Sequence, residues 1–221
     1  MFKLFELVLL ILLVAWLFRQ VRKPSGWLGK RVVWAMNLSH ASMTEWGLQQ
    51  FEVPPNAAIL DVGCGGGETV RRLAALAPEG TVIGLDYSTA SVAVSLDTNA
   101  REIKAGRVKI EHGSVAALPF PDRMFDIVTA VETHYYWPDL PANVAEILRV
   151  LKPGGRFALI AETYRGGPFQ LVYGMVMPLL RAAYLSDAEH RDLLTKAGLT
   201  EVSTMHLSGR NWICATGRVP L

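Results

Sequence analysis

Asp61-Val62-Gly63-Cys64-Gly65-Gly66-Gly67 closes an apolar run that begins at Ile59, and a helical pattern opens at Glu68. Glycines between a strand and a helix let the backbone turn through positive φ and come close to a ligand. A dinucleotide fingerprint starting at Gly63 would need glycine at position 68, where Glu68 stands. No Lys-Ser/Thr pair follows the glycines, so the loop is not a P-loop. A carboxylate in the first helical turn sits badly against a pyrophosphate and suits a ligand without phosphate. The next apolar run, Thr81–Leu85, ends at Asp86, 19 residues after Gly67. A carboxylate at that strand tip can accept both hydroxyls of a ribose. Loop and carboxylate together point to a nucleoside cofactor.

A second group follows the fourth strand pattern: Glu132-Thr133-His134-Tyr135-Tyr136-Trp137-Pro138. In open α/β sheets, loops beyond the C-terminal strand ends form the ligand crevice. Glu132 or His134 could take a proton from a hydroxyl acceptor. Tyr135 and Trp137 could stack on a flat substrate or shield a cation; the same residues could equally pack under a neighbouring helix. Glu162, Tyr164 and Arg165, after the fifth strand, are further candidates for the substrate side. No metal is expected, since the histidines at 40, 112, 134, 190 and 206 show no ligand spacing such as H-x-x-x-H.

Positioning these residues requires alternating strands and helices. Strand patterns cover Ile59–Val62, Thr81–Leu85, Val108–His112, Phe125–Val131, Arg156–Ala161, Val202–Leu207 and Trp212–Thr216. Helical patterns lie near Glu68–Ala77, Thr89–Ala105, Leu140–Leu151 and Asp187–Ala197, with Gly106 and Gly198 at C-cap positions and Ser186 and Glu189 spaced as a capping box. Such alternation predicts a doubly wound, Rossmann-like α/β sheet, mostly parallel. Ser208-Gly209 between the last two strands suggests an antiparallel edge hairpin.

Ile59–Gly67 resembles motif I of the class I S-adenosylmethionine-dependent methyltransferases, and Gly84-Leu85-Asp86 is similar to their second motif. Phe125-Asp126-Ile127-Val128 and Leu148–Gly155 resemble later motifs of the branch acting on small molecules, including quinone and sterol methyltransferases. The resemblance covers about residues 56–163. It implies S-adenosylmethionine as cofactor, with Asp61, Gly63 and Gly65 at its amino-acid part, Asp86 at the ribose, Tyr87 beside the adenine, and Ser114 and Val115 at the adenine edge. Many relatives carry an acidic residue where Ser114 stands. No NPPY-like sequence follows the fourth strand, which argues against methylation of adenine bases or glutamine.

The net charge of +2 gives no reason to expect nucleic acid as a partner. Hydrophobic residues make up 51% of the chain, and the excess falls in two segments. Phe5–Phe18 contains one charge, Glu6, and is followed by Arg19, Arg22, Lys23, Lys30 and Arg31 before the next acidic residue, Glu45. This predicts a single-pass N-terminal membrane anchor with the catalytic domain on the cytoplasmic side. A cleaved signal peptide is disfavoured by the bulky residues 16–19, and a helix packed on the domain or on a partner is the remaining alternative. Residues 168–184 read either as a buried helix kinked at Pro178 or as a lid over a lipophilic substrate. The expected division is residues 1–23 as anchor and basic flank, 24–55 as a helical lead-in, and 56–221 as the methyltransferase domain. The expected function is methyl transfer to a small, lipophilic acceptor at the membrane surface. The alternatives are a protein or peptide methyltransferase and a non-catalytic, cofactor-binding scaffold of a membrane complex.

Overall fold

The computed structural model describes Gln20 and residues 22–221. The segment carrying the anchor expectation, Phe5–Phe18, lies outside the described residues. Among the described residues no helix is long and apolar enough to cross a membrane.

Strands β1 (Ala58–Val62), β2 (Thr81–Asp86), β3 (Val108–His112), β4 (Phe125–Val131), β5 (Leu151–Ala161), β6 (Thr200–His206) and β7 (Ile213–Arg218) form one sheet. Their order is β3-β2-β1-β4-β5-β7-β6. β1 to β5 pair in parallel, and β7 runs antiparallel between β5 and β6, which supplies the expected edge hairpin. The strand order reverses between β1 and β4. That switch point opens a crevice at the strand C-termini.

β1 is buried along nearly its whole length, as a central parallel strand should be. Its alternating residues feed opposite layers. Ile59 joins Ile127, Ile160, Val70 and Met43, whereas Leu60 joins Val128, Phe125, Phe157 and Ile147. Full burial of each such side chain contributes about 1.5–3 kcal/mol.

The helices are α1 (Gly26–Ser39), α2 (Ala41–Leu48), α3 (Glu68–Leu76), α4 (Thr89–Thr98), α5 (Ala100–Lys104), α6 (Leu140–Val150), α7 (Gln170–Leu179) and α8 (Asp187–Lys196). The single helix expected over 89–105 is interrupted at Asn99. That buried side chain donates from Nδ2 to the carbonyls of Gly67 and Ser95, both at 3.0 Å, and so ties the helix break to the glycine loop.

The segment expected either to be buried or to form a lid contains α7. Of this helix only Met177 is fully buried, while Leu171, Val172, Met175 and Leu179 are exposed. Pro178 stands one residue from its end. It marks the helix terminus instead of kinking a long buried helix.

The later motifs act at the opposite end of the sheet from the crevice. Asp126 accepts from Ala58 N at 2.8 Å and pairs with Lys152 Nζ, locking β1, β4 and β5 together. Arg149 reaches Glu146, Asp122 and the carbonyls of Leu118 and Phe120. It thereby pins the long connection between β3 and β4.

α8 begins with the capping box read from sequence. Ser186 Oγ accepts from Glu189 N at 3.3 Å, and Glu189 Oε2 accepts from Ser186 N at 2.7 Å. Ser186→Ala should cost about 1 kcal/mol. Urea unfolding should show this as a lower midpoint at an unchanged slope.

Candidate active site

A cavity of about 590 Å³ opens over the C-terminal ends of the parallel strands. Its lining follows the sheet order. Gly113, Ser114 and Val115 lie beyond β3, Asp86 and Tyr87 at the tip of β2, and Gly63, Cys64, Gly65 and Gly66 after β1. Glu132, Thr133, Tyr136 and Trp137 lie beyond β4. α1 roofs the space with Val33, Met36 and Asn37, and His40 stands at the turn into α2.

The glycine loop is held by its neighbour strand. Gly63 N and Cys64 N both donate to the Leu85 carbonyl, at 2.7 and 3.0 Å. Gly63, Gly65 and Gly67 have φ of 73°, 53° and 81°, a region costly for side chains. A Cβ at Gly63 would overlap the Thr133 side chain, whereas one at Gly65 would enter open space. The loop therefore leaves a cradle that a ligand can approach at backbone distance.

Asp86 borders this cradle. Its Oδ2 accepts from Gly65 N at 2.9 Å and its Oδ1 from Ser88 N at 2.8 Å. Each oxygen keeps a further lone pair for a hydroxyl. Burial pushes its pKa up and the two backbone donors oppose the shift. Tyr87 lines the cavity too, but its hydroxyl donates to the Arg22 carbonyl, and Ser88 Oγ donates to the Pro24 carbonyl at 2.7 Å. The lead-in is thus fastened to the β2 tip, and Asn37 Nδ2 fastens it again to the Gly66 carbonyl at 3.0 Å. These residues fit S-adenosylmethionine: a glycine cradle and a strand-tip carboxylate.

Asp61 is placed differently from expectation. It is 1% exposed, lies behind the loop and accepts from Thr129 Oγ1 at 2.6 Å, so it is not part of the cavity wall. Burial raises its pKa to about 7, with the Asp86 charge adding to the shift.

The group after β4 divides at a short 3-10 turn, His134–Tyr136. Glu132, Thr133, Tyr136 and Trp137 face the cavity. His134 does not. It is fully buried between Tyr135 and His190, with ring centroids 4.2 and 5.4 Å away, and neither ring nitrogen has a partner among the described residues. Burial drives its pKa well below the usual value, which keeps the ring neutral. His134 is therefore corrected from a candidate base to a core residue. Tyr135 is also buried away from the cavity, and its hydroxyl donates to Glu132 Oε1 at 2.9 Å. Tyr164 and Arg165 lie elsewhere as well. Tyr164 packs on His206 at 4.6 Å, and Arg165 pairs with Glu189 at 2.5 Å.

Glu132 is the most constrained cavity residue. Its φ is 56°, a conformation that costs about 1–3 kcal/mol in a residue with a side chain. Its Oε1 also accepts from Glu162 N. Burial raises its pKa, opposed by the His40 charge. His40, which the sequence reading did not single out, places its Nε2 3.6 Å from Glu162 Oε2. His40, Glu132 and Glu162 each bring a ligand atom within 4.8 Å of the others. The trio can share a proton or hold a cation at the β4–β5 end of the cavity.

Residues 60–159 match the family described as Methyltransferase domain. A demethylmenaquinone methyltransferase of Shouchella clausii is 29% identical over 199 residues, 80% of this chain and 83% of that protein. The ubiquinone/menaquinone biosynthesis C-methyltransferase UbiE of Geobacter sulfurreducens is 34% identical over 128 residues, 55% of this chain and 50% of that protein. The chain thus spans only about half the length of some curated relatives it matches. A solved SAM-dependent methyltransferase from Aquifex aeolicus shares the fold with a TM-score of 0.70 at 19% identity, over 86% of this chain and 98% of that one.

The Asp61 carboxyl makes the fold sensitive to pH. In the unfolded chain it ionises near its ordinary value of 3.8, in the folded chain at about 7. Between those values the folded state binds more protons, so this group lowers stability as pH rises through that range. Asp61→Asn should remove the effect. Its thermal midpoint relative to the unaltered protein should be higher at pH 8 than at pH 5, as differential scanning calorimetry will show.

Sheet order, cavity placement and these likenesses agree, and the match over residues 60–159 marks a methyltransferase domain that resembles the class I S-adenosylmethionine-dependent enzymes.

Proposed function

We propose that the protein methylates a small lipophilic acceptor of the hydroquinone type at the cytoplasmic membrane surface. The observation that carries this reading is the wall beyond β4. There Glu132 and His40 stand beside Tyr136, Trp137, Met36 and Val33, joining proton-accepting groups to an aromatic and apolar lining. Two relatives named for quinone methylation and the apolar segment Phe5–Phe18 with its basic flank support the choice of acceptor and location.

S-adenosylmethionine supplies the transferable methyl group on a sulfonium. The residues then have separable tasks. Gly63, Gly65 and Asp86 hold the cofactor side of the cavity, with Ser114 and Val115 at its far edge. Tyr136 and Trp137 orient a flat ring. Glu132, kept less acidic than usual by burial, accepts the acceptor's hydroxyl proton, and His40 stabilises the resulting charge distribution. A protein or peptide acceptor is the less favoured reading, since a cavity roofed by α1 suits a small molecule better than an extended chain.

The test is transfer of labelled methyl to a prenylated naphthohydroquinone in membranes carrying the full chain. Label should enter the organic phase. Glu132→Gln should lower turnover about 10²–10⁴-fold with cofactor binding retained. Activity of the unaltered enzyme should rise with pH as Glu132 deprotonates, and this limb should vanish in the variant. Label in membrane protein and none in lipid would favour the peptide acceptor.

A further inference from the structure

The outer face of α1 is not that of an ordinary surface helix. Trp27, Lys30, Arg31, Trp34, Ala35 and Leu38 are all exposed. They recur at helical spacing as one stripe. Trp27, Trp34 and Leu38 are 74%, 62% and 61% exposed. The opposite stripe, with Gly29 and Val33 buried, packs inward, and Val33, Met36 and Asn37 reach the cavity. Thus one face of α1 roofs the site and the other presents indoles to the surroundings.

Its charge is one-sided. Arg22, Lys23, Lys30 and Arg31 are exposed, and no acidic residue occurs from Arg22 until Glu45. The Arg31 guanidinium lies 5.8 Å from the Trp27 ring centroid. Tryptophan suits the headgroup layer because its ring is apolar and its N–H polar. Each basic side chain near an anionic lipid surface adds attraction. The strongly apolar segment Phe5–Phe18 ends just before this stretch, which brings the helix close to any membrane that the segment enters.

We infer that α1 lies on an anionic bilayer surface through Trp27, Trp34 and Leu38, with Lys30 and Arg31 meeting the headgroups. The roof of the cavity is then also the lipid-facing helix. Because Asn37, Pro24 and Arg22 bind α1 and its lead-in to the glycine loop and the β2 tip, lipid contact holds the cavity mouth at the interface. A lipophilic acceptor can pass into it without crossing water. This purpose rests on the methyltransferase reading above; lipid contact by α1 does not.

The test uses the full chain with Trp16→Phe, so that the N-terminal segment contributes no indole signal. It is reconstituted with phosphatidylglycerol or phosphatidylcholine vesicles carrying brominated acyl chains. Tryptophan emission should be quenched, more in phosphatidylglycerol, and adding Trp27→Phe and Trp34→Phe should remove most of that quenching. Quenching that survives both substitutions, no quenching, or equal quenching in the two lipids would overturn the inference. Retained S-adenosylhomocysteine binding by the variants shows that the fold and cofactor site are intact, and its failure in the unaltered chain would count against the methyltransferase reading alone.

Discussion

The tip of β2 and the loop after β1 are joined by three short contacts. Gly63 N and Cys64 N share the Leu85 carbonyl, and Gly65 N meets Asp86 Oδ2. The cavity depends on this junction. It sets the glycines in their positive-φ turn, aims the Asp86 carboxylate across the cradle and fixes where α3 begins. Other elements brace it from outside. Asn99 leaves its helix to hold Gly67, Asn37 descends from α1 to Gly66, and Ser88 draws the lead-in onto the β2 tip. The sheet supplies the rest of the positioning through its order, since β3, β2, β1 and β4 present their loops in sequence along the cavity.

Such an arrangement concentrates buried acid groups. Burial raises the pKa of Asp61, Asp86 and Glu132, and the Asp86 charge adds to the shift of Asp61. Groups of this kind destabilise the empty fold near neutral pH and favour a ligand that brings positive charge. A sulfonium with an ammonium group is such a ligand. The same strip of the molecule carries basic residues on its lead-in, so acidic interior and basic rim face each other across α1 and its approach.

Much of the architecture was legible in the chain because it rests on local signals. β3 and β4 fall where the alternating patterns placed them, and the capping box and edge hairpin follow from short motifs. The glycine loop and Asp86 were legible because both serve one strand-turn-helix unit and its parallel neighbour. The substrate end was less so. Thr133 to Trp137 are consecutive, and only the 3-10 turn decides that His134 and Tyr135 face the core while Tyr136 and Trp137 face the cavity. His40 lies far from Glu132 in sequence and meets it only because α1 folds over the crevice. Tyr164 and Arg165 follow the fifth strand as expected, but they turn toward α8 and β6. Asp61 keeps its motif position but is buried behind the loop against Thr129.

The cradle between Gly65 and Asp86 is shaped to bind S-adenosylmethionine. Calorimetric titration with S-adenosylhomocysteine, of the unaltered chain beside Asp86→Ala, tests it most directly. The unaltered protein should bind saturably and the variant should not, both chains being folded. Equal binding by the two would place the ligand elsewhere, and no binding by the folded, unaltered protein would contradict the account.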